Sequence, residues 1–78
     1  MSDYLLFGTE GCHLCEEAEL LLQQTGLGFD IRDIIDDDNL QQRYGLLIPV
    51  LLHVPSQQTL NWPFDTPGLQ QFITGHAL

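Results

Sequence analysis

Tyr4-Leu5-Leu6-Phe7 runs through Gly8 into Gly11-Cys12-His13-Leu14-Cys15, and this stretch decides how the chain is read. The apolar run is short and continuous, as in a strand buried on both faces. From Leu14 the pattern changes period. Leu14, Ala18, Leu21, Leu22 and Thr25 recur at i, i+4, i+7, i+8 and i+11, which places them on one helical face. Glu16 and Glu17 lie in the first turn, where carboxylates suit the helix dipole. Gly26 stands where a helix of this length would close. The two cysteines therefore fall where a strand hands over to the first turn of a helix. Unpaired N–H groups and the positive end of the dipole favour an anion there. The available anion is a thiolate, the form of cysteine that attacks disulfides. A second cysteine one turn on can close a ring with the first. Strand, Cys-x-x-Cys and helix together point to redox chemistry.

Working outward, Phe29-Asp30-Ile31-Arg32-Asp33-Ile34 alternates apolar and polar, and reads as a half-buried strand near a sheet edge. Asp36-Asp37-Asp38 is a charged turn suited to capping a short helix over Asn39 to Tyr44, closed by Gly45. The triplet lacks the spaced ligands of a calcium loop and reads as a solvated turn. Val50 to Val54 is a second buried strand, introduced by Pro49. Pro55 to Gln58 reads as a hairpin turn, and Thr59-Leu60-Asn61 as the return strand. Thr66 as N-cap and Pro67 at the first helical position start a last helix. Its apolar face is Leu69, Phe72 and Ile73, and Gly75 ends it. The order is β-α-β-α-β-β-α. The first crossover should be parallel, the last two strands an antiparallel hairpin, and helices should cover both faces of a four-stranded mixed sheet.

The chain has 78 residues, which is one domain over 1–78. Eleven carboxylates face only Arg32 and Arg43, for a net charge of −9. Nucleic acid and anionic membrane surfaces are poor partners for such a chain, since both demand basic residues. The N-terminal Met1-Ser2-Asp3 is acidic, and the apolar run after it is too short for a signal peptide or a membrane span. The expected compartment is the cytoplasm. There a structural disulfide is unusual, so the pair is read as catalytic or metal-binding. Zinc needs four ligands, and two cysteines with three scattered histidines make a poor single-chain set, so no metal site is expected.

These elements resemble the glutaredoxin-like branch of the thioredoxin superfamily. The resemblance rests on Gly8-Thr9-Glu10-Gly11-Cys12-His13-Leu14-Cys15-Glu16-Glu17-Ala18, Ile48-Pro49-Val50 and Trp62-Pro63-Phe64, and spans nearly the whole chain. It implies an α/β thioredoxin-like fold of the glutaredoxin type. It also implies a small dithiol–disulfide oxidoreductase acting on protein or low-molecular-weight disulfides. In it Cys12 would be the nucleophile and Cys15 the resolving thiol. Ile48–Pro49 would be cis and lie beside Cys12, with the Ile48 backbone pairing to an extended substrate. Trp62 would add an apolar ledge, or simply pack the last helix. The chain departs from the family in carrying His13-Leu14 between the cysteines, Thr9 and Glu10 where a basic residue is usual, and Asn61 to Asp65 in place of the glutathione-holding segment. No basic residue stands near the motif to receive the carboxylates of glutathione.

Two residues are read as tuning the thiolate. His13, protonated and close, would stabilise it; turned to solvent, it does little. Glu10 opposes it, as do Glu16 and Glu17. One carboxylate about 6 Å away costs on the order of 1 to 3 kcal/mol at an effective dielectric of 20 to 80, before screening. The Cys12 thiol should then be less acidic than that of a strong oxidant. His53 in an apolar strand reads as a satisfied core residue, and His76 as part of a fraying end. The expected molecule is a monomer with no bound cofactor. A disulfide-bearing protein would be its substrate, and glutathione or a reductase its electron donor. The reading from a different class is a non-enzymatic module that holds a partner protein or carries a metal on the surface around Cys12, Pro49 and Trp62.

Overall fold

The structure is a computed structural model that describes residues 2–76. Its elements are β1 (Tyr4–Gly8), α1 (His13–Thr25), β2 (Asp30–Asp33), a 3-10 turn (Ile34–Asp36), α2 (Asp38–Tyr44), β3 (Val50–His53), β4 (Gln58–Asn61) and α3 (Thr66–Thr74). The four strands lie in the order β2-β1-β3-β4. β1 runs parallel to β2, with Leu5 opposite Asp30 and Gly8 opposite Asp33. It runs antiparallel to β3, with Tyr4 opposite His53 and Phe7 opposite Val50. β3 and β4 form the antiparallel hairpin. The two continuous apolar runs are thus the central strands. The alternating segment and the polar return strand are the edges, and no residue of either is buried: Ile31, expected on a half-buried face, is 56% exposed.

Side-chain alternation divides the core between the two faces of the sheet. Tyr4, Leu6 and Leu51 point to one face and pack with Ala18 and Leu22 of α1, Leu69 of α3, and Phe64. Phe7, Val50 and Leu52 point to the other and pack with Ile34 and with Tyr44 of α2. Tyr44 anchors α2 by stacking on Phe7, with ring centroids 4.6 Å apart. Helices therefore cover both faces.

Several local expectations shift. The buried residues of α1 are Cys15, Ala18 and Leu22, whereas Leu14 is exposed. The first turn is seated by Cys15 against the sheet, and that rotates Leu14 outward. Ile34 leaves β2 for the 3-10 turn and enters the second core, so the strand ends at Asp33. Asp37 is the cap of α2 and accepts from the N–H groups of Asn39 and Leu40. Asp65, not Thr66, caps α3, because its carboxylate reaches the Gly68 N–H at 2.8 Å. Pro67 thereby falls one position inside the helix. His76 is held rather than frayed: its Nδ1 bonds the Phe72 carbonyl and its Nε2 the Gln58 side chain, each at 2.7 Å. Among the described residues, no helix is long and apolar enough to cross a membrane.

Candidate active site

The end of β1 sets the geometry. Gly8 brings the strand close to α1, so close that a methyl group on it would sit 3.1 Å from both Cβ and Sγ of Cys15. The chain then turns through Gly11, whose φ of +81° is a conformation that L side chains rarely adopt. The turn is closed by the Cys12 N–H, which donates to the Thr9 carbonyl at 3.2 Å.

Cys12 is the N-cap of α1. Its Sγ accepts a hydrogen bond from the Cys15 N–H at 3.2 Å. A cap position is normally filled by serine, threonine, aspartate or asparagine, whose oxygen satisfies an orphan amide. A sulfur in that place receives the same amide. The two cysteines lie at disulfide distance, with Cα atoms 5.2 Å apart, inside the usual range for a disulfide. Cys15 is buried and Cys12 half-buried, so an incoming group reaches Cys12 first.

The residues expected to tune the thiolate are on the surface. His13 is 84% exposed, and its Nδ1 lies 3.8 Å from Oε2 of Glu16, an exposed pairing of little weight. Glu10 is exposed on the loop before Cys12 and lines a groove that also holds Cys15. Ile48–Pro49 is cis, and Trp62–Pro63 is cis as well. Pro49 is buried at the start of β3, at the same end of the sheet as the cysteines. The Trp62 N–H donates to the Pro49 carbonyl at 3.2 Å, which brings Trp62 to this end too. Its ring is half-buried against the first core and meets Phe64 edge-on at 5.0 Å, so it packs the α3 side. The Ile48 N–H donates to the Tyr44 carbonyl at 3.0 Å. That donor is engaged within the chain, and the Ile48 carbonyl is the group left to pair with an extended segment. Among the described residues, no three His, Cys, Asp or Glu side chains gather in a way that would hold a metal ion.

One positioning residue escaped the sequence. Asp33, at the end of β2, accepts from the Ile35 N–H at 2.9 Å. Its carboxyl is held below the ordinary carboxylate range, first by that bond and, against some desolvation, by the Thr9 hydroxyl and the Glu10 N–H. It therefore caps the 3-10 turn and faces the loop before Cys12. An aspartate followed by two apolar residues at a strand end carried an N-cap signal, but the approach to residues 9 and 10 is tertiary.

Comparison with known proteins agrees with this geometry. The family described as glutaredoxin-like domain (DUF836) matches residues 4–74. The X-ray structure of a structural-genomics target, protein XcR50 from X. campestris, is similar with a TM-score of 0.86. It is 38% identical, and the match covers 92% of this chain and 96% of that one. The solution structure of protein Ne2328 from Nitrosomonas europaea is similar with a TM-score of 0.71. It is 28% identical, with 91% of this chain and 89% of that one covered. No curated protein matches.

Proposed function

This chain belongs to the glutaredoxin-like family, and on that premise we propose that it is a dithiol–disulfide oxidoreductase. The observation that carries the reading is Cys12 at the cap of α1, half-exposed, with Cys15 behind it at disulfide distance. In the reduced protein the Cys12 thiolate attacks a substrate disulfide. One substrate sulfur leaves as a thiolate and takes up a proton, and the other stays bound to Cys12. Cys15 loses its proton, attacks the Cys12 sulfur and releases the second substrate thiol. The substrate gains two electrons and two protons, and the protein ends as the Cys12–Cys15 disulfide. A thiol donor, glutathione or a reductase, returns the pair to the dithiol. The Ile48 carbonyl and Pro49 offer an extended substrate its docking edge, with Trp62 alongside. His13 and Glu10 are both exposed, and neither is placed as a fixed partner of the Cys12 sulfur. We place the reaction in the cytoplasm, where a Cys-x-x-Cys pair is kept for chemistry rather than for structure.

The test is the equilibrium reduction potential of the pair, read by thiol trapping in glutathione or dithiothreitol buffers. A reversible couple between roughly −180 and −270 mV is expected, the span of working oxidoreductases. A pair that stays reduced across the buffers would sink the reading and favour a non-enzymatic binding module.

A further inference from the structure

Two unlike grooves share Thr9, in the loop that leads into Cys12. The first has a volume of about 280 Å³, and Cys15 lies in its wall. Four carboxylates also line it, those of Glu10, Glu16, Glu19 and Asp33. It opens on the α1 face of the sheet. The second, about 360 Å³, opens on the α2 face and is apolar, lined by Ile34, Ile35, Leu46 and Ile48. Among the described residues, Leu46 is fully exposed and Ile35 largely so. Thr9 lines both grooves. They therefore meet over the end of β1, at the loop that leads into Cys12.

Charge selects the occupant. The chain carries only two arginines, and both are engaged elsewhere. Arg32 faces Asp37 at 3.7 Å, and Arg43 lies over the Tyr44 ring at 5.5 Å. Neither lines either groove. An anionic disulfide meets four carboxylates in the first groove and no arginine in either, whereas a cationic one is drawn in. The apolar groove asks in addition for an aliphatic or aromatic side chain.

We propose that the substrate of this site is a protein cysteine in an extended segment, with an apolar residue on one flank and Lys or Arg on the other. The inference rests on the dithiol–disulfide reading above and adds the substrate class to it. The apolar flank lies in the Ile35–Leu46–Ile48 groove. The basic flank lies along Glu10, Glu16, Glu19 and Asp33, and the cysteine crosses the sheet end at Cys12. The grooves meet at Thr9, three positions before Cys12, so the flanks that matter lie close to the substrate cysteine.

Four short peptides test this, each with one cysteine as its 2-pyridyl disulfide and with flanks of Leu and Lys, Ser and Lys, Leu and Glu, or Ser and Glu. The Cys12 thiolate of the reduced protein attacks the peptide sulfur. Pyridine-2-thione leaves and is read by its absorbance. Cys15 then frees the peptide as a thiol, and the protein is left as the disulfide. Each rate is normalised to that of the same protein with hydroxyethyl disulfide, a small neutral substrate. The Leu–Lys peptide should be fastest. It should exceed the Leu–Glu peptide by about tenfold or more at low salt. That margin should shrink to about twofold at 1 M salt, where screening acts within about 3 Å. Glu16→Gln with Glu19→Gln should narrow the Lys preference, and Leu46→Ser the Leu preference. Equal rates for the four peptides, faster reaction of the Glu peptides, or a charge preference that salt does not touch would overturn the substrate class and leave the dithiol chemistry standing. So would reaction with hydroxyethyl disulfide alone. No reaction with any of the five would overturn both.

Discussion

The two ends of β1 carry residues of comparable chemical capacity and treat them in opposite ways. At the carboxyl end, Cys12 is half-open, its sulfur touched by one backbone amide, and two grooves meet at Thr9 in the loop before it. At the amino end, Tyr4 lies opposite His53, and everything is closed in. The His53 ring is buried, with Nδ1 2.7 Å from the Ser56 hydroxyl. It stacks on His76 at 4.0 Å and meets Tyr4 at 5.1 Å. His76 in turn ties α3 to β4 through Phe72 and Gln58. Histidine titrates near neutrality and is the commoner catalytic residue, yet here it belongs to the scaffold. What separates site from scaffold is access. A ring that is 8% exposed, held at Nδ1 and stacked on its neighbours has little left to offer a substrate.

The comparison is broken or sharpened by substitution at each end. Cys12→Ser should abolish disulfide exchange. Cys15→Ser should allow the first attack and halt at a mixed disulfide, which mass spectrometry reads as one added substrate thiol. Exchange that survives Cys12→Ser would remove the open end from the chemistry. At the closed end, His53→Ala takes away a buried ring and leaves Ser56 short of a partner. A loss of about 2 to 4 kcal/mol in urea unfolding is expected, with the rate of Cys12 attack on a small disulfide unaltered below the transition. A large change in that rate would mean that the histidines reach the site after all.

Between the ends lies Gly8. Gly8→Ala presses a methyl on Cys15, and overpacking of that kind costs about 1 to 3 kcal/mol. The resolving step should slow more than the first attack, which stopped-flow followed by acid trapping separates. The smallest effect concerns Asp33. Its carboxyl titrates below the ordinary value of 3.8 in the fold. The stability it contributes is therefore whole above that value, and is lost as pH falls from there through the folded-state value. Asp33→Asn should flatten the urea midpoint between about pH 6 and pH 2.5 by that one increment. An unchanged acid slope would mean that the Ile35 N–H does not hold the Asp33 carboxyl low in the fold.

Much of this was legible in one dimension. Tyr4 to Phe7 and Val50 to Leu52 are continuous apolar runs, and continuous runs must be central strands because both faces of the strand are covered. The Cys-x-x-Cys at a change from strand to helical period placed Cys12 at a helix start before any contact was known. The helix that ends at Gly26 and the turn capped by Asp37 were equally local matters. Such features depend on neighbours a few residues away, and the chain carries them wherever it goes.

Other features exist only because distant segments meet. Leu14 matched the helical stripe, but the approach of Gly8 to Cys15 set the rotation of α1 and turned it out to solvent. Asp65 captured the cap from Thr66 by reaching the Gly68 N–H. The Ile48 N–H was spent on the Tyr44 carbonyl at the end of α2. The acidic and apolar grooves are assembled from β1, β2, α1, the 3-10 turn and the loop before β3, which no periodicity relates. The sequence by itself determined the order of elements, the central strands and the cysteine at the helix cap, because periodicity and capping act over a turn or two. Packing between distant segments decided that His53 was buried while His13 stayed open, which carboxylates shared a groove with Cys15 and which leucines stayed bare, because burial is a property of what folds on top of a residue.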